Sequence, residues 1–370
     1  MQNLRPIIGH IKAYSKRLNH KFNKEGGGVM RKYLLIVVAL TLCSILLFPP
    51  QGNAIELKFN SMYAPKHPIN THAFSVWAKE VERRTEGRVK VTLFPSNALA
   101  NVKQAYDATI SGICDIAVSC STYAPDRFPL STVINLPMLG TSSAVTNSLA
   151  LWELYEKFPQ LQKEYKDVKL LWLYANPTFQ LHFRKDLVKK LEDLRGRVIS
   201  TGSAMGLKIL KKLGAVPENI PMVDVYMALQ KGVVDGCMLP YAPLKSQRIA
   251  ELVHYHTNAD LLCVSFYVVM NLDKWNKLSP QDQKIISELT GRYGAELCGS
   301  VFDKFQDRDI KWMLQRGDKF YTLPAQERER WVKRVAPLRE DWVKKMEKRG
   351  LPARRVMEEA QSLIKKYRAH

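Results

Sequence analysis

Any chemistry in this chain would have to come from a few histidines, a few cysteines and one acidic turn. His254 and His256 stand two apart, so on a strand they share one face. One such pair is too few for a metal site, and structural or surface roles suit it better. Cys237 follows Asp235-Gly236 in "DGCML" but has no base near it in sequence to activate the thiol. The chain has no G-x-S-x-G, no H-E-x-x-H, no phosphate loop and no G-x-G-x-x-G. These absences argue against an enzyme and leave no cofactor or metal to expect. What remains is "VDVYMALQKGVVDGCMLPY", Val223 to Tyr241, which reads as a helix that stops at a glycine and turns into a buried strand. In an α/β protein such a junction holds a catalytic loop or borders a ligand cleft. Without a catalytic set, the cleft is the better reading.

The elements around it support that reading. "IELKFNSMY", "RVKVTLFP" and "CDIAVSCS" alternate as strands, with helices expected in "PINTHAFSVWAKEVERRTEG", stopped at Gly87, and in "NVKQAYDATISGI". This β-α-β-α-β order predicts a parallel sheet wound by helices. A long helix is expected over 144–165, then strands in "VKLLWLYANP", "QLHFRK" and "LRGRVIST". "SAMGLKILKKLGA" reads as a helix with Ser203 as N-cap and Gly214 as stop. A short strand in "VPENIPM" and the Val223–Tyr241 unit complete a second α/β lobe. "LLCVSFYVVMN" is apolar enough to return as a strand to the first sheet. From Ser279-Pro280 a helical pattern runs for about nine turns, long enough to span two lobes, and the remainder is helical.

The first 54 residues differ from the rest. Arg31-Lys32, a 16-residue apolar run from Tyr33 to Phe48, and Gly52-Asn53-Ala54 form a secretory signal peptide over 30–54, cut after Ala54. The run is also long enough for an uncleaved membrane anchor. Met30 is the better start, and residues 1–29 read as a start placed too early. Cys43 follows Leu42 and is not read as a lipoprotein cysteine. Removing the eight basic and one acidic residues of this leader from the 56 and 35 of the whole leaves 48 and 34, a net +14. Much of the excess lies in the last third, interleaved with acids at helical spacing. That pattern describes solvated helix faces, and no nucleic acid is expected as a partner. Cys114, Cys120, Cys237, Cys263 and Cys298 remain, an odd number with no CxxC. Cys114 and Cys120 on one strand would stand about 20 Å apart, too far to bridge, so buried free thiols are expected. A signal peptide, two α/β lobes and no catalytic set point to a periplasmic binding protein.

The chain resembles the substrate-binding proteins of TRAP transporters, the DctP type. The resemblance lies in "DLRG" at 193–196, "LGAVPENIPMVDVYMALQKGVVDG" at 213–236, "LFPSNAL" at 93–99, "DIAVSCSTYAPDRFPL" at 115–130 with "LPML" at 136–139, and "KLSPQDQKII" at 277–286. It implies a two-lobe α/β Venus-flytrap fold with a long lobe-bridging helix and a helical C-terminus. It also implies one small-molecule ligand and delivery to TRAP membrane subunits driven by a sodium gradient. The expected limits are a leader over 1–54, lobe I over 55–175 plus 262–303, and lobe II over 176–261 plus 304–370. By the same resemblance Asp235-Gly236 turns the chain at the cleft wall, with the glycine needed for a positive φ.

The chain departs from the family where the ligand is held. The arginine that usually pairs with a ligand carboxylate falls on Ser200, and Arg197 comes three residues too early to replace it. Other usually polar positions fall on Met62, Cys120, Thr178 and Leu239. The expected ligand site is therefore Met62, Tyr63, Cys120, Tyr123, Thr178, Phe179, Ser200, Thr201, Tyr226, Leu239 and Tyr241. Its aromatics could equally be core. Such a cleft suits a largely apolar or aromatic molecule with at most one carboxylate. Two functions stay open: a periplasmic solute receptor, or a membrane-tethered sensor of the same kind of ligand.

Overall fold

The computed structural model describes residues 54–368. The signal peptide and the leader before it lie outside the described residues, except for Ala54. Eleven strands follow in chain order: β1 (Ile55–Asn60), β2 (Val89–Phe94), β3 (Ile116–Cys120), β4 (Lys169–Ala175), β5 (Gln180–Phe183), β6 (Val198–Thr201), β7 (Val216–Asn219), β8 (Gly236–Leu239), β9 (Tyr255–Asn258), β10 (Ser265–Met270) and β11 (Lys319–Thr322). They form two mixed sheets, ordered β2-β1-β3-β10-β4 and β11-β9-β5-β8-β6-β7. The chain crosses from the first sheet to the second between β4 and β5 and returns between β9 and β10. On its return β10 enters the middle of the first sheet, antiparallel to both β3 and β4.

Helices cover the sheets. The first lobe carries α1 (Ser75–Arg84), α2 (Ala105–Ile110), α3 (Ala144–Lys157) and α4 (Pro159–Lys163). The second carries α5 (Ala204–Leu213), α6 (Val225–Gln230) and α7 (Tyr241–Ser246). Then come α8 (Leu272–Lys277), α9 (Pro280–Glu288), α10 (Arg292–Gln315), α11 (Ala325–Glu347) and α12 (Ala353–Arg368). Helix starts and stops follow local chemistry. Ser203 Oγ accepts the Gly206 N–H at 3.1 Å and Ser279 Oγ accepts the Asp282 N–H at 3.1 Å. Gly214 closes α5 at φ 98°. The expected helix over 144–165 breaks at Phe158, because Pro159 disfavours helical backbone at the residue before it.

The nine-turn helix also breaks, and the cause is tertiary. Trp77 Nε1–H donates to the Leu289 carbonyl at 2.9 Å, and the Gly291 N–H donates to Leu171 of β4 at 2.7 Å. Gly291 sits at φ 60° against the Trp152 ring, where a Cβ would lie 2.8 Å from it. The part that bridges the lobes is α10. Its Cys298 and Val301 pack near the first sheet, while Ile310, Trp312 and Met313 join the second lobe. On α10, Asp303 accepts the Ala144 N–H at 2.6 Å and the Ser143 hydroxyl at 2.8 Å, fixing α3 to the bridge.

Packing divides the C-terminal part differently from the expected limits, which gave all of 304–370 to the second lobe. Trp331, Val335 and Leu338 of α11 pack into the second lobe. Val343 and Met346 of the same helix, and Val356, Met357, Leu363 and Ile364 of α12, pack on the first with Phe128, Leu136 and Leu173. Two helices, α10 and α11, therefore cross between lobes. The five cysteines are buried and free. No helix among the described residues is long and apolar enough to cross a membrane.

The Asp235-Gly236 junction is corrected. Among the residues at positive φ, Gly232 appears and Gly236 does not. Gly236 is the first residue of β8, not a turn. It is held to glycine by crowding: a Cβ there would stand 2.5 Å from the His182 carbonyl oxygen and 2.5 Å from Phe183 Cδ1 of β5. Gly236→Ala is expected to lower stability by about 1–3 kcal/mol through this clash. Urea unfolding checks it: a midpoint equal to that of the parent would contradict the close approach of β5 and β8.

Candidate functional site

On the first lobe, four distant segments converge at the ends of β1, β3, β4 and β10. The Tyr63 and Tyr174 hydroxyls are 2.9 Å apart. Tyr174 stacks on Phe266 with centroids 5.0 Å apart and planes at 18°. It also lies near-parallel to Phe302 of α10 at 6.3 Å. His67 stacks on Tyr63 at 4.3 Å and meets Phe302 edge-on at 6.3 Å. Cys120 lies opposite Phe266 in the sheet and its sulfur accepts from the Thr122 hydroxyl at 3.3 Å. Met62 packs on the same cluster, and Tyr123 stands beyond it, 44% exposed.

This cluster carries no charge near neutral pH. Burial pushes the Tyr63 and Tyr174 phenols well above their ordinary value and the Cys120 thiol up to about 11. His67 Nδ1 accepts the Ile69 N–H at 3.2 Å, so the neutral ring carries its proton on Nε2. Burial pushes the ring's pKa down to about 4. Tyr63, Met62, Cys120 and Tyr123 are among the residues expected at the ligand site; His67, Tyr174, Phe266 and Phe302, which share this cluster, are not. No local signal marks these four, which only the return of β10 and the bridge α10 bring together.

On the second lobe, Ser200 and Thr201 end β6 and are buried. Ser200 Oγ lies 3.4 Å from the Gly236 carbonyl, which can accept from it. Thr201 faces the other side of the sheet, where its Oγ1 accepts the Ser203 N–H at 3.3 Å. Arg197, just before β6, does not replace the missing cation. It pairs with Asp186 at 2.6 Å, donates to the Asp193 carbonyl, and lies over the Phe183 ring. Thr178 and Phe179 lie in the lobe crossing. The Thr178 hydroxyl donates to Asp260 at 2.6 Å, Gln180 bridges both, and the Phe179 N–H donates to Leu262 at 2.7 Å.

Three expectations at the opening stretch need correction. Asp235 lies at the N-terminal end of β8, where its carboxylate accepts the Val198 N–H at 2.8 Å. The strand ends at Leu239, whose carbonyl takes a hydrogen bond from His182 Nε2 at 2.9 Å. Tyr241 starts α7 and turns inward: it is buried, its hydroxyl donates to Asn258, and its ring packs against His182, His256 and Phe320. Tyr226 lies on the outer helix layer, with its hydroxyl 3.4 Å from Glu251 and its ring under Arg248. Neither ring belongs to the aromatic cluster. His254 and His256 both meet Asp318, at 2.9 and 3.2 Å, and His256 also meets His182 at 2.9 Å.

Residues 59–346 match the family described as bacterial extracellular solute-binding protein, family 7. A TRAP periplasmic solute-binding protein from Desulfovibrio salexigens superposes with a TM-score of 0.80 at 32% identity, over 85% of this chain and 96% of that one. A TRAP solute-binding protein from Rhodoferax ferrireducens, solved with copurified benzoate, gives 0.75 at 28%, over 85% and 99%. The C4-dicarboxylate-binding periplasmic protein DctP of Rhodobacter capsulatus is 24% identical over 85% of this chain and 95% of its own.

The His67 ring gives a direct check of the cluster. Its pKa lies below the ordinary 6.5, so its share of stability is present above that pH and is lost as pH falls toward about 4. In proton–carbon NMR its ring signals are expected to titrate near pH 4, as the neutral Nε2–H tautomer above that. A midpoint near 6.5 would place the ring in water, outside the cluster.

Proposed function

The chain belongs to the bacterial extracellular solute-binding protein family 7, and from that premise we propose that it captures a largely apolar or aromatic molecule with at most one carboxylate. The observation that carries this is the pairing of an uncharged aromatic cluster, Tyr63, Tyr174, Phe266, Phe302 and His67, with a β6 strand that ends in Ser200-Thr201 where the family places an arginine. Ring stacking and edge contacts suit an aromatic body. A second carboxylate would have to shed water with no cation on β6 to receive it. One carboxylate can be received on one face of β6 by the Ser200 hydroxyl, or on the other by the Thr201 hydroxyl with the first amides of α5 behind Ser203, a weaker arrangement than an arginine fork. Met62, Cys120, Tyr123, Thr178, Phe179 and Leu239 complete the proposed lining. The benzoate in the Rhodoferax relative supports the aromatic reading.

In this account the leader is removed after Ala54 and the receptor works in the periplasm. It closes on its ligand about the two strand crossings and hands it to the membrane subunits of a TRAP transporter. Catalysis forms no part of its function.

A thermal-shift panel tests the ligand class. A ligand at 100 times its Kd adds about 2.7 kcal/mol, which for a chain of this size raises Tm by about 5–10 °C. Benzoate, mandelate and hexanoate are the apolar arm; succinate, malate and fumarate are the dicarboxylate arm. A shift with at least one apolar acid and none with the dicarboxylates is expected. A shift with succinate or malate and with no apolar acid would overturn the reading.

A further inference from the structure

Among the basic side chains of α11, two stand apart. Arg330 is held by Glu192 and Glu327, and Lys333 by Glu329 at 2.8 Å. Arg328 and Arg339 have no carboxylate within 4.0 Å among the described residues, although both are half-buried. Eleven residues make three helical turns to within about 20°, so the two side chains leave the helix on one side. They converge on adjacent carbonyls of one segment. Arg339 Nε donates to Pro137 at 2.7 Å, and Arg328 Nη2 reaches Met138 only at 3.4 Å. Arg328 Nε is fully shielded and has no partner among the described residues. Burial pushes both guanidinium pKa values down, Arg339 to about 10, and the Arg328 charge lowers that of Arg339 further.

The surroundings leave positive charge in excess. Asp260 is the carboxylate whose field reaches Arg328; it makes no ion-pair contact with it, and one of its two oxygens accepts from Thr178 and Gln180. Arg368, at the end of α12, adds a third positive charge. A half-buried guanidinium without a counter-charge is costly, and its planar fork of N–H donors matches an oxyanion.

We propose that Arg328 and Arg339 form a binding site for one small oxyanion at the seam where α11 meets the Pro137–Met138 segment. The site is separate from the aromatic cluster. Leu136 and Leu139, which flank the segment, pack into the core shared with α3 and α12, whereas the cluster lies in the core on the other face of the first sheet. It is joined to the lobe crossing, because the Met138 N–H donates to Leu261 at 2.8 Å and both Met138 and Asp260 hold positive φ, 53° and 51°. An oxyanion there ties α11 to the returning strand. The inference does not depend on which ligand the cleft takes.

Calorimetric titration of the purified protein with inorganic phosphate, at ionic strength fixed with sodium chloride, tests it. Saturable binding is expected, weakened at least about tenfold in Arg328→Gln and in Arg339→Gln. Benzoate, titrated in the same variants, separates the two oxyanion sources: its binding is expected to stay unchanged. No phosphate binding beyond chloride, or equal binding in parent and variants, would overturn the site. Loss of benzoate binding together with phosphate binding would overturn its separateness from the cleft. If Arg339→Gln does not fold, Arg328→Gln carries the test, since it removes only the 3.4 Å contact.

Discussion

The structure depends on the return of β10 into the middle of the first sheet. A chain that leaves one sheet after β4 and comes back between β3 and β4 must cross the gap between lobes twice. Those two crossings, at 176–179 and 259–264, are the only strand links between the sheets among the described residues. They are stitched by the Thr178–Asp260–Gln180 hydrogen bonds and by Phe179 to Leu262. The same insertion lays Phe266 against Tyr174 and opposite Cys120. One topological choice thus makes both the hinge and the aromatic wall beside it.

Charge is arranged to match. The wall holds phenols, a thiol and an imidazole, all pushed by burial toward their neutral forms. Arg308, whose guanidinium lies over the Phe305 ring packed on the same core, pairs with Asp309 at 2.8 Å, and on the second lobe Arg197 pairs with Asp186. Arg328 and Arg339, which have no carboxylate within 4.0 Å among the described residues, lie on α11, away from the wall. The proposed ligand, with an aromatic body and little charge, would meet a wall where desolvation is cheap, and the proposed oxyanion site lies apart from that wall at the seam.

Much of the fold was legible in the sequence because its signals are local. Strand alternation, the Ser203 and Ser279 caps and the Gly214 stop each act within a few residues. The two-lobe class and the family followed from them and from motifs spread along the chain. What the sequence hid was set by distant contacts. The helix break at Gly291 answers to Trp152, Trp77 and Leu171. The role of Gly236 is a clash with β5, which no turn pattern encodes. Tyr241 points inward because α7 begins directly after Pro240 and sets its ring beside His182. Of the candidate site, the serine at 200 could be read directly, but the rings of the aromatic cluster come from separate segments that no local pattern joins.

The central claim is that the two lobes close on an uncharged aromatic site. Small-angle X-ray scattering of the purified protein, with and without saturating benzoate, tests it most directly. The account predicts a smaller radius of gyration with benzoate and no change with succinate. An unchanged radius with benzoate shown to be bound, or a decrease with succinate alone, would contradict it.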